Sequence, residues 1–68
     1  MSDIIPKIGK NIRKYRVKRG LSQDKLSKLA GISHIAVVKI ELGAIKNPSI
    51  GTVVKIARGL GVDINRLL

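Results

Sequence analysis

The chain has no cysteine, no phenylalanine and no tryptophan, and Tyr15 is its single aromatic residue. Without cysteine there is neither a disulfide framework nor a cysteine zinc site, so an aliphatic core must supply the stability, as a reducing compartment permits. One histidine, His34, beside four Asp and Glu residues makes a poor ligand set, and no metal is expected. The same scarcity speaks against an enzyme. Ser22, Ser27, Ser33 and Ser49 have no histidine but His34 to act as a base, and the carboxylates are scattered. None of the seven glycines falls in a GxGxxG or GxxxxGK pattern, so no phosphate-cradling loop, cofactor or small-molecule substrate is expected. No apolar run approaches the roughly 18 residues of a membrane span, and residues 1–6 lack the charged-then-apolar order of a signal peptide. The expectation is a soluble, cytoplasmic protein.

What the chain does have is positive charge. Fourteen Lys and Arg against four Asp and Glu give a formal net charge of +10 over 68 residues. An excess of that size points to a polyanionic partner, with nucleic acid the first candidate. Half of the basic residues, Lys7, Lys10, Arg13, Lys14, Arg16, Lys18 and Arg19, crowd on and just after the first helix. Charge all round one helix cannot all meet one duplex, so most of these are expected to be solvated, speeding association and making it salt-dependent. The length allows one small domain over residues 1–68, with 1–6 as an N-terminal arm.

The hydrophobic period is helical throughout. A first helix is expected from about Ile8 to Lys18, with Ile8, Ile12 and Tyr15 inward and Gly20 ending it. Ser22 is a suitable N-cap for a second helix starting at about Gln23, and Asp24 falls where the helix dipole favours negative charge. Leu26, Leu29 and Ala30 give that helix an apolar face before Gly31 stops it. Ile32 plugs the corner, and Ser33 caps a third helix from His34 to Leu42, whose Val37, Ile40 and Glu41 face inward before Gly43. Two helices joined by so short a glycine-containing turn cross steeply, leaving the outer face of the second clear to enter a groove. Pro48 and Ser49 open a fourth helix with Ile50, Val53, Ile56, Ala57 and Leu60 as its core stripe and Gly61 as its end. Asp63 can cap a final short helix that packs Ile64, Leu67 and Leu68 back on the bundle. No segment suggests a strand.

These residues resemble the Cro/repressor type of helix-turn-helix domain, also called the XRE family. The resemblance is carried by IGKNIRKYRVKRGLSQDKLSKLAGIS from Ile8, KIELG from Lys39 and NPSIGTVVKIARGLGV from Asn47, nearly the whole chain. Ser27 stands where the family usually has alanine. The resemblance implies an all-α, compact five-helix bundle of the lambda-repressor-like type, with the helix-turn-helix at its second and third helices. It also implies that Arg16 pairs with Glu41 as a structural ion pair.

Transferred residue by residue, the resemblance makes Gln23 a contact to the DNA backbone or to an adenine edge. Ser33, His34, Ile35, Val38 and Lys39 fall on the reading end and outer face of the third helix, with Leu42 at its far end. Lys46 and Asn47 lie in the loop whose counterpart touches the sugar-phosphate backbone. The outer face departs from the family, because base edges are read mainly by amides and guanidinium groups, and Ile35 and Val38 offer only apolar contact. They fit either a thymine methyl or a protein partner. The implied function is a sequence-specific regulator that binds double-stranded DNA at the nucleoid, as a homodimer on a two-fold site, through the major groove. The alternative is an antitoxin-like interaction module on the same scaffold, favoured by apolar Ile35, Val38 and Ile45. A cationic membrane-surface peptide ranks last, because evenly capped helices do not suit it. A dimer would draw on Val54, Arg58, Arg66 and Leu68 in the last two helices.

Overall fold

A computed structural model describes residues 6–68. Met1 to Ile5, and with them most of the expected N-terminal arm, lie outside the described residues. The Pro6 carbonyl accepts from the Lys10 amide at 3.2 Å and so opens helix α1, Lys7–Lys18. Proline suits that place, since its missing N–H would have no partner within the helix. Three more α-helices follow, α2 over Gln23–Ala30, α3 over His34–Leu42 and α4 over Ile50–Leu60. No strand occurs among the described residues.

Serine starts each of the three later helices. Ser22 Oγ accepts from the Lys25 amide at 3.0 Å, Ser33 Oγ from Ala36 at 3.1 Å and Ser49 Oγ from Thr52 at 3.2 Å. Each cap satisfies an amide that has no partner within its own helix, a contribution of about 1 kcal/mol. Gly31 ends α2 in the left-handed conformation, φ +71°, which L side chains rarely adopt. That reversal allows α3 to begin three residues later.

The core draws on every element: Ile12 from α1, Leu26 and Ala30 from α2, Val37 and Ile40 from α3, Val53, Ile56, Ala57 and Leu60 from α4, and Leu67 from the C-terminal segment. Helix α4 lies closest against α2, where a methyl group at Gly59 would sit 3.1 Å from the Ala30 backbone nitrogen. A side chain there would push the two helices apart.

The structure corrects the sequence reading at its margins. The fifth helix is a single 3₁₀ turn, Ile64–Arg66, capped by Asp63, whose Oδ1 accepts from the Asn65 amide at 2.8 Å. Three residues are too few for an α-helical turn to propagate, and the segment is held instead by Leu67, which is fully buried. Leu68 is exposed, one position past that anchor. Leu29 is also exposed, because the buried face of α2 is centred on Leu26, Ser27 and Ala30. Ile50 is exposed at the mouth of α4, a turn before Val53 reaches the core. Ile45, read as an exposed apolar residue, is half-buried against the core, its amide donating to the Lys39 carbonyl at 3.1 Å.

Candidate nucleic-acid interface

The scaffold of the site is a polar cluster under α3. Arg16 Nε donates to Glu41 Oε2 at 2.7 Å and Nη2 donates to Oε1 at 3.0 Å, while Nη1 donates to the Leu21 carbonyl at 2.8 Å. The two side chains are 12% and 3% exposed. A carboxylate so deeply buried is tolerable only because the planar guanidinium meets both its oxygens. The cluster ties the end of α1 to the end of α3 and to the α1–α2 link. Among the described residues, no buried side-chain polar atom is left without a partner.

Gln23 joins this cluster. Its Nε2 donates to Glu41 Oε1 at 3.1 Å from the first position of α2, where the residue is half-buried. Read from sequence as an outward contact, Gln23 is also a third support for Glu41. The amide keeps one N–H and its carbonyl oxygen for another partner, the pair of groups that an adenine edge requires.

The helix-turn-helix presents the rest of the expected face. Ser33 caps α3 and His34 is its first residue, with Nδ1 3.8 Å from Asp24 Oδ1 on α2. Asp24 also meets Lys28 Nζ at 3.3 Å, an i,i+4 pair. Ile35 is 63% exposed and Leu42 64%, Lys39 is exposed and Val38 half-buried. On the opposite side of α3, Val37, Ile40 and Glu41 are buried. Ser33, His34, Ile35, Val38 and Lys39 thus share the head and outer side of one short helix. Lys46 and Asn47 are exposed in the loop between α3 and α4, beside a surface groove that also takes in Ile8, Ile50, Val53 and Leu68.

The charge of α1 divides into distinct roles. Arg16 is consumed by Glu41, and Arg19 Nη2 donates to the Gly61 carbonyl at 3.1 Å, fastening the end of α1 to the end of α4. Lys14 and Lys18 lie over the Tyr15 ring, with Nζ 5.6 and 5.9 Å from its centre. Lys18 and Arg19 line a concavity with Tyr15 and Arg66 that contains none of the α2 or α3 residues of the expected reading face.

Two features escaped the sequence reading. The link between His34 and Asp24 crosses the α2–α3 turn and leaves no periodic trace, although the Asp24–Lys28 spacing was visible. The bond from Gln23 to Glu41 spans 18 residues and is equally silent in sequence, whereas Leu42, expected at the far end of the outer face, is as exposed as Ile35.

Comparison with known proteins gives a consistent pattern. The family model described as Helix-turn-helix matches residues 12–67. The HTH-type transcriptional regulator SlrR of Bacillus subtilis is 37% identical over 60 residues, 88% of this chain and 40% of that protein. The chain spans about half the length of the curated relatives it matches, 40% of SlrR and 55% of SinR from the same organism. Among solved structures, the restriction-modification controller protein C.AhdI from Aeromonas hydrophila superposes with a TM-score of 0.89 at 31% identity, covering all of both chains. SinR in complex with DNA gives a TM-score of 0.85 at 33% identity, covering 88% of this chain and 95% of that one. With its capped turn at Gly31, its buried Arg16–Glu41 pair and a family match over most of its length, the chain belongs to the Cro/repressor-type helix-turn-helix family.

Proposed function

We propose that this domain is a sequence-specific regulator of transcription that binds double-stranded DNA by laying α3 in the major groove. The observation that carries this reading is the division of α3. Its inner side is locked by Val37, Ile40 and the Arg16–Glu41 pair, while its outer side is uncovered and carries Lys39, with exposed Lys46 in the loop beyond. A rigid helix with one clear face and cations at its rim meets the requirements of groove docking. Gln23 and Ser33 would fix the register at the head of the two helices, and His34, Lys39, Lys46 and Asn47 would meet bases or phosphates around Ile35 and Val38. The names of the relatives, SlrR and SinR as HTH-type transcriptional regulators, support the same reading.

Binding as a homodimer on a two-fold site belongs to this proposal. Ile50 and Leu68, 67% and 55% exposed, form an apolar edge with half-buried Val54, close to where a dimer through α4 and the C-terminal turn would pair. Half-sites would then lie about 34–36 Å apart. Such a regulator acts at the nucleoid, in the cytoplasm; no helix among the described residues is long and apolar enough to cross a membrane.

Selection from a random duplex pool, followed by titration across salt, tests the reading. The expected result is an enriched site whose affinity falls steeply with salt. A pool without enrichment and a flat salt dependence would favour the interaction module, which the exposure of Ile35 and Leu42 supports.

A further inference from the structure

The outer side of α3 is apolar where a groove-reading helix ordinarily carries amides or guanidinium groups. Residues 35, 38, 39 and 42 fall on one side at helical spacing, so three of the four positions there are aliphatic. Cations accompany this stripe, Lys39 within it and Lys46 in the following loop, both exposed. The nearby carboxylates are engaged, Asp24 by Lys28 and Glu41 by Arg16. Two copies pressed together along this stripe would confront lysine with lysine, whereas a polyanion would meet them favourably. The surface therefore suits a polyanion that displays apolar spots. In the major groove of B-DNA that spot is the C5-methyl group of thymine.

Resting on the DNA-binding reading above, we propose that Ile35 and Val38 recognise thymine C5-methyl groups in the major groove. The two residues are separated by about 4.5 Å along the helix axis, close to the roughly 3.4 Å spacing of successive bases. They therefore reach neighbouring base pairs, and the target carries thymines at two neighbouring steps of each half-site. Discrimination has two sources. A methyl group buried against isoleucine or valine leaves water, and a cytosine in its place would present an amino group that an aliphatic side chain leaves unpaired.

The test uses the duplex selected from the random pool. Each thymine of a half-site is replaced singly by deoxyuridine, which removes the methyl group and retains O4 and the Watson–Crick edge. Affinity is expected to fall about fourfold at each of two neighbouring positions, the fold-change corresponding to about 0.8 kcal/mol for one buried carbon. The salt slope is expected to stay the same, because no phosphate contact is lost. In Ile35→Ala one of the two penalties disappears, and in Val38→Ala the other. Val38→Thr, which keeps the branched shape, and thermal melts of all three variants separate a lost contact from a damaged fold.

Unchanged affinity for every uracil duplex, or a selected site without thymine, would overturn the methyl reading while leaving DNA binding intact. Uracil penalties that persist in both alanine variants would overturn the roles of Ile35 and Val38. Variants that lose self-association but keep DNA affinity would make the stripe a protein contact and overturn the proposal. A pool that yields no site would overturn the DNA-binding reading and this inference together.

Discussion

The two sides of α3 reverse the usual order of a helix. Its inner side buries a charged glutamate with Val37 and Ile40, and its outer side exposes Ile35 and Leu42 to solvent. The inner charge is tolerated because Arg16 and Gln23 give the carboxylate three hydrogen bonds, so the buried face is polar at one point and fully satisfied there. The outer apolar groups have no partner in the described residues that would explain them. Burial of a charge thus marks the part of α3 that serves the fold, and exposure of apolar carbon marks the part for which recognition is proposed.

The largest effect should come from breaking the inner side. Glu41→Ala strands the Arg16 guanidinium under α3, and we expect a loss of about 3–5 kcal/mol in urea unfolding. A loss below about 1 kcal/mol would mean that the cluster does not hold the helix. A matched pair of truncations then compares the two sides with the same chemistry. Ile40→Ala, at a site 1% exposed, should cost about 2–5 kcal/mol, and Ile35→Ala, at a site 63% exposed, should change stability by less than about 0.5 kcal/mol. Similar unfolding midpoints for the two variants would erase the distinction between the sides.

Gln23 sits on the boundary and sharpens the comparison differently. Gln23→Ala removes a hydrogen bond to a charged group that keeps its main partner, so about 1.5 kcal/mol of stability should be lost, together with DNA affinity. A variant of full stability with weakened DNA binding would make the residue a pure contact. The reverse would make it pure scaffold. The mildest changes belong to the rim. Lys39→Ala and Lys46→Ala should each leave the unfolding midpoint in place, weaken binding to all duplexes alike and lower the slope of log affinity against log salt by about 1.

Much of this was legible in the residues because the signals are local. The serine caps at 22, 33 and 49 and the glycine stops at 31, 43 and 61 sit where short-range geometry dictates, and the structure keeps all of them. The Arg16–Glu41 pair was reached only through family resemblance, since a spacing of 25 residues has no periodic signature. What could not be read was the edge of burial. Leu29, Ile50 and Leu68 are as apolar as their buried neighbours, and whether each meets another element depends on crossing angles that no local window contains. The same reason hid the second role of Gln23 and the approach of His34 to Asp24.

The sequence by itself determined where the α-helices start and stop, because caps and left-handed glycines act within four or five residues, and it determined the cationic character of the chain. The tertiary structure alone decided where the core ends, leaving Leu29, Ile50 and Leu68 on the surface and half-burying Ile45. Packing α2 against α4 at Gly59 and locking α3 through Arg16, Gln23 and Glu41 are long-range events, and the crossings they set leave Leu29, Ile50 and Leu68 uncovered beside buried neighbours of the same chemistry.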